Sequence, residues 1–206
     1  MRVLASLSLI GALALFPVAS RATTFTDGFN AASNVQLTVT TAGNFSTIGG
    51  TNVDLLGTAD GFAGLCTPGD GSIHCVDLGG TGGNPQGDLQ SNTVFGPGTY
   101  DLSFFLTGSK RGNTTSTEVT LGDYDHTFTL ASGDQENVVN VVVTVTAADA
   151  LTFHLLENTE EGSVLNTASV SSLVINPTTV PEPSSLLLLG SGMLSGLGFI
   201  TRRRNR

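Results

Sequence analysis

Tryptophan is absent from these 206 residues, and aromatic residues make up only 6% of them. Sugar-binding surfaces commonly stack rings on Trp or Tyr, which join apolar area to a polar handle. Only Tyr100 and Tyr124 offer that combination here. Basic residues are equally scarce in the body of the chain. Of the eight Lys and Arg, six lie near the two ends: Arg2, Arg21, Arg202, Arg203, Arg204 and Arg206. Between residues 23 and 177 there are two, Lys110 and Arg111, against sixteen Asp and Glu, a formal charge of −14 for that stretch and −9 for the whole chain. A surface of that sign cannot neutralise phosphates, which excludes nucleic acid as a partner. It serves solubility first and divalent-cation binding second. No stretch from 23 to 177 shows the apolar period of a helix. Gly-x-Ser-x-Gly and His-Glu-x-x-His are missing. The run Gly79 to Gly83 lacks the Lys and the helix start that a phosphate loop needs.

What is present begins with two apolar ends. Met1 to Ala22 has Arg2, an apolar run from Val3 to Phe16, the helix breaker Pro17 and the small-x-small triplet Ser20-Arg21-Ala22. That order is a secretory signal helix cut by signal peptidase after Ala22. At the other end Ser184 to Ile200 carries no charge. Roughly 17 residues at 1.5 Å each make a helix of about 25 Å, the short end of what crosses a bilayer core. Gly192 and Gly196 share one face as GxxxG, or are simply small and apolar. Arg202, Arg203, Arg204 and Arg206 follow at once and hold their side in the cytoplasm. Pro181 and Pro183 cannot lie inside a helix, so they mark its outer boundary and place Glu182 there. The chain divides into a signal peptide at 1–22, an exported domain at 23–177 and a tail at 178–206, with the membrane helix at about 184–200.

Val180-Pro181-Glu182-Pro183-Ser184, an apolar span and an arginine cluster, in that order at the C-terminus, resemble the PEP-CTERM sorting signal of Gram-negative bacteria. The resemblance covers about the last 27 residues. It implies export, recognition of Pro181, Glu182 and Pro183 by an exosortase, a transient anchor in the inner membrane with a cytoplasmic C-terminus, and a final place at the cell surface or in extracellular polysaccharide. Export also bears on the only cysteines, Cys66 and Cys75. An even count in an oxidising compartment argues for a disulfide across the turn-rich segment Thr67 to His74. A metal site with His74 would lack a fourth ligand from this segment. A nucleophilic free thiol is disfavoured outside the cell.

The 155 residues between the signals are long enough for one buried core. Their Thr, Val, Gly, Ser and Asn suit short strands and turns. Strands are expected at 35–40, 52–56, 73–78, 89–95, 99–106, 117–121, 124–130, 138–146, 151–156 and 170–175, with turns at Thr41-Ala42-Gly43-Asn44, Gly79 to Pro85 and Gly96-Pro97-Gly98. Gly122-Asp123 is a hairpin candidate. Val138 to Val145, almost continuously β-branched, reads as a central strand. About ten short strands separated by turn signals make an all-β antiparallel sandwich.

From Cys75 to Gly83-Asn84-Pro85, through Gly98-Thr99-Tyr100-Asp101-Leu102, Gly108-Ser109-Lys110-Arg111-Gly112 and Thr117 to Gly122, the chain is similar to DUF642-like and other galactose-binding-like jelly rolls. That resemblance implies two facing antiparallel sheets, carbohydrate binding and a structural calcium ion. Asp77, Asn84 and Asn166 are the candidate ligand-binding residues, and any metal-binding residues are left unassigned. The chain departs from the family pattern at Gly79, where a second acid is usual, and at Leu165-Asn166-Thr167-Ala168, where Leu-Asp-Asn-Val is usual.

Candidate chemistry elsewhere is thin. Glu160 and Glu161 are neighbours, so in a strand they would face opposite ways; they read as a solvated acidic loop rather than as glycosidase acids. His126 and His154 sit in alternating strands, as exposed or hydrogen-bonded residues. Lys110-Arg111 reads as a charged hairpin tip, or as a contact for an acidic polymer. The reading that results is a non-enzymatic exported β-sandwich that associates with exopolysaccharide. The alternatives are a structural, adhesive matrix protein and an unrecognised secreted hydrolase.

Overall fold

The computed structural model describes residues 24–30, 36–57, 64–66, 74–82 and 87–173. The signal peptide with its cleavage point after Ala22, Asn84, Pro181-Glu182-Pro183, the span 184–200 and Arg202, Arg203, Arg204 and Arg206 lie outside the described residues. Thirteen strands and no helix are found within them. They are β1 (Thr24–Asp27), β2 (Gln36–Val39), β3 (Thr41–Ala42), β4 (Phe45–Thr47), β5 (Val53–Gly57), β6 (His74–Asp77), β7 (Asp88–Phe95), β8 (Gly98–Thr107), β9 (Thr115–Leu121), β10 (Tyr124–Leu130), β11 (Gln135–Val145), β12 (Asp149–Leu155) and β13 (Val164–Ser172).

The strands form two antiparallel sheets. One runs β11-β8-β13-β6-β5-β2, with β1 also paired to β13, and the other runs β10-β9-β12-β7-β4-β3. Alternation explains why they face each other. Along β9 the odd positions Thr115, Thr117, Val119 and Leu121 are buried and the even ones are half-buried. With no tryptophan to fill it, the core between the sheets is built on phenylalanine. Phe45 lies edge-on to Phe25 at 5.3 Å and to Phe153 at 6.1 Å, and Phe153 to Phe104 at 5.5 Å. Leu89, Leu102, Leu121 and Leu151 complete it without measurable exposure.

Several strands differ from their sequence expectation for visible reasons. The apolar-polar run at 35–40 is broken at Thr38, which adopts a φ of +57°. The chain crosses there from one sheet to the other, so the expected turn at Thr41-Ala42 is itself a strand and only Gly43-Asn44 turns. The valine-rich β11 is an edge strand, not a central one. Its even-looking run is interrupted by a bulge in which Val139 and Asn140 oppose the single residue Ser103. Asn140 adopts a φ of +54° and its amide donates to Ser103 Oγ. Valine suits either position; the bulge is a common device for blunting an edge. The hairpin at Gly122-Asp123 is found as expected, and it serves the same end. Asp123 accepts from the Thr144 amide, and Thr144 O accepts from the Asp123 amide. Gly122 sits at a φ of +61°, where an added Cβ would lie 2.5 Å from Thr144 O.

The strands β5 and β6 are buried on both faces. Val53, Leu55, Val76 and Leu78 point into the main core. On the opposite face Leu56, Cys75 and Val164 form a second small cluster with Cys66. Cys66 and Cys75 are joined, with Cα atoms 5.4 Å apart. The disulfide therefore fastens residues 64–66 to β6 on the outer face of the seven-stranded sheet.

Candidate functional site

Of the three residues singled out as ligand candidates, Asn84 lies outside the described residues. Asn166 is fully buried in β13 and donates to its neighbour Val164 O. Asp77, at the end of β6, is 2% exposed and aims at protein rather than at a groove. Its Oδ1 accepts from the amides of Gly79 and Gly162 at 2.9 and 3.0 Å, and its Oδ2 lies 3.4 Å from the Arg111 guanidinium. The two backbones pass so closely that a Cβ on Gly162 would stand 2.0 Å from the Gly79 amide. Gly79, where the family pattern has a second acid, is thus a packing requirement here. Burial pushes the Asp77 carboxyl up to about 7, against the pull of the two amides and Arg111; nearby Asp54 adds to the rise.

Two more aspartates share this fate. Asp54 pairs in register with Asp77, fully buried on the same outer face, and accepts from the amides of Thr38 and Thr81 and from the Thr81 hydroxyl. Asp27 accepts from the amides of Phe29 and Asn44. Each acid steadies irregular backbone: Thr38 and Phe29 have positive φ, and Gly43 lies against Asp27 at a φ of +58°. Part of the acidity attributed to solubility is therefore structural. Arg111 is not a hairpin tip. It lies on the 108–114 connection that carries the chain from β8 in one sheet to β9 in the other, and it also donates to Glu160 O at 2.9 Å. The acidic loop is tethered as well: Glu160 accepts from the Gly82 amide and Glu161 from the Asn113 side chain.

The open surface is on the other sheet. Directly opposed residues of an antiparallel pair project to the same face. Thr127, Glu118, His154 and Asp88 are opposed in sequence across β10, β9, β12 and β7. Asp125, Thr120, Thr152, Gln90 and Ser46 make the neighbouring row, which continues onto β4. Asp88 meets His154 Nδ1, Gln90 donates to Thr152 Oγ1, and Ser46 donates to Asn92 Oδ1. The carboxylates of Glu118 and Asp125 make no hydrogen bond among the described residues, and Asp125 and Thr127 are exposed. Sequence reasoning placed His154 correctly as a hydrogen-bonded strand residue but missed the rows, whose directly opposed members lie up to 66 residues apart. The signal that points to them is the alternation of polar side chains along β7, β9 and β12. His126 stays apart from this face, packed edge-on against Phe128 at 4.5 Å.

Comparison with known proteins decides the tail. Residues 179–204 match the family described as the PEP-CTERM protein-sorting motif. The chain carries a PEP-CTERM protein-sorting motif in its tail. The motif marks it for export and exosortase processing, with a transient C-terminal membrane anchor. No curated protein matches the sequence. Among solved structures, the sandwich is similar to a cleaved adhesin domain of Lys-gingipain from Porphyromonas gingivalis, at 16% identity and a TM-score of 0.48 over 72% of this chain and 96% of that one. It is similar to the xylan-binding CBM22-2 domain of a Paenibacillus barcinonensis protein, at 12% identity and 0.41 over 72% and 99%. It is also similar to the C-terminal CBM6 domain of a laminarinase from Zobellia galactanivorans, at 10% identity and 0.35 over 73% and 100%.

The calcium ion implied by the jelly-roll resemblance would need oxygen donors. Among the described residues no three His, Cys, Asp or Glu gather to hold an ion. Asp27, Asp54 and Asp77 are met by N–H donors, the opposite polarity to a cation. Among the described residues the hydrogen-bond partner of the His154 ring is Asp88.

Proposed function

We propose that this is a non-catalytic, surface- or matrix-associated domain that binds extracellular polysaccharide on the outer face of its six-stranded sheet. The supporting observation is the pair of polar rows, Thr127–Glu118–His154–Asp88 and Asp125–Thr120–Thr152–Gln90–Ser46. Strands in a sheet stand about 4.8 Å apart, close to the length of one sugar ring. A glycan lying across the strands would meet a fresh carboxylate, imidazole, amide or hydroxyl at each ring. Without tryptophan, recognition on this face rests on hydrogen bonds rather than on stacking. In this reading signal peptidase frees the N-terminus, the arginines stay cytoplasmic while the tail is anchored in the inner membrane, and the exosortase releases or transfers the sandwich to the surface.

Calorimetry with exopolysaccharide purified from the producing bacterium tests the reading. Binding that falls at least tenfold in a His154→Ala, Gln90→Ala double variant is expected. Absence of heat together with no retention on immobilised polymer would remove the glycan from the proposal and leave a matrix protein without a specific ligand.

A further inference from the structure

Three connections meet at one buried oxygen pair. The 78–82 segment brings the Gly79 amide to Asp77, the 156–163 segment brings the Gly162 amide, and the 108–114 segment brings Arg111. The same segments are tied to each other a second time. Arg111 donates to Glu160 O, Gly82 donates to Glu160 Oε1, and Asn113 donates to Glu161. The two oxygens of Asp77 have different duties. Oδ1 serves backbone amides, which need only an acceptor. Oδ2 faces the guanidinium, which gains most from a negative charge.

We propose that Asp77 and Arg111 form a proton-operated latch on the 108–114 connection. When Asp77 is ionised, Oδ2 holds Arg111 and all three segments are joined through one carboxylate. When a proton sits on Oδ2, Oδ1 still accepts from Gly79 and Gly162, but Arg111 keeps only the Glu160 carbonyl. The proton thus leaves the 78–82 and 156–163 crossing intact and loosens the third segment alone. The charged and titratable groups around the latch are few. Asp54 on β5 stands in register beside Asp77, Lys110 precedes Arg111, and Glu160 and Glu161 lie on the 156–163 segment. Burial places the transition near neutral pH, the range an exported protein meets. Arg111 is 29% exposed, so it can move toward water without unpacking the core.

The test is NMR on the full chain in detergent micelles with the disulfide intact, following the Asp77 carboxyl carbon and the Arg111 Nε–H from pH 4 to 9. Both signals are expected to move with one midpoint near 7, while the Gly79 and Gly162 amides stay protected throughout. Arg111→Gln should raise the Asp77 midpoint by about one unit or more, the usual effect of removing a neighbouring cation. Asp77→Asn should make the Arg111 signal independent of pH. An Asp77 midpoint in the ordinary carboxylate range, or an Arg111 signal that ignores it, would overturn the latch. Loss of Gly79 protection together with Arg111 would equally overturn it, because the whole crossing would then open rather than one segment.

Discussion

Two sets of carboxylates in this domain have opposite fates. Asp27, Asp54 and Asp77 are buried and met by amide donors, on irregular backbone in and beside the seven-stranded sheet. The carboxylates of Glu118 and Asp125 stand on the outside of the six-stranded sheet without a hydrogen bond among the described residues. The residue types are the same; what differs is whether turns supply unpaired N–H groups at that place. A buried amide without an acceptor is costly. The fold solves this with aspartate where the backbone is irregular. Where the backbone is a regular ladder its amides are already paired, and carboxylates stay open to solvent.

Four experiments sharpen that contrast. The largest effect belongs to Asp77→Ala, which strands two buried amides and Arg111; it should lower the free energy of unfolding in urea by about 4–6 kcal/mol. The second is pH. Asp77 stands at about 7 when folded against 3.8 for an ordinary aspartate, so it holds its proton more tightly in the folded chain. The stability this brings is complete below about pH 4 and is lost as pH rises through about 7, by up to about 4 kcal/mol. Thermal midpoints across that window should fall for the native chain and stay nearly level for Asp77→Asn; parallel curves would refute the assignment. Third, replacing Cys66 and Cys75 together by Ser frees a loop of about ten residues and should cost about 2–3 kcal/mol in the same urea titration. Last, Glu118→Gln and Asp125→Asn should leave stability within about 0.5 kcal/mol of the native value. The same two changes should weaken retention on exopolysaccharide. A large loss of stability there would mean that these carboxylates belong with the buried set.

What could be read from the sequence was local. Strand β10, Tyr124–Leu130, and the Gly122-Asp123 hairpin follow from alternation and a two-residue turn. The disulfide follows from two cysteines in an exported chain. What could not be read was set by distant partners. Nothing near Asp77 announces that Gly162, 85 residues on, will donate to it. Valines alone do not say whether β11 has one neighbour or two, because both positions bury one face. Arg111 looked like a surface charge because its partners come from β6 and from the segment after β12. The face carrying Glu118, His154 and Asp88 was invisible for the same reason: each lies in its own polar-apolar alternation, and only strand order lines them up.

The position of β13 has a further consequence for how the chain reaches its final form. This last strand lies inside its sheet, with β8 along one side and β1 and β6 along the other. Until it is delivered, the first strand of the domain has no partner in that sheet and β8 has an open flank. A chain threaded outward from its N-terminus cannot complete this sheet until Ser172 has emerged, seven residues before the sorting motif begins. The strand that completes this sheet is thus the one that most closely precedes the sorting motif along the chain.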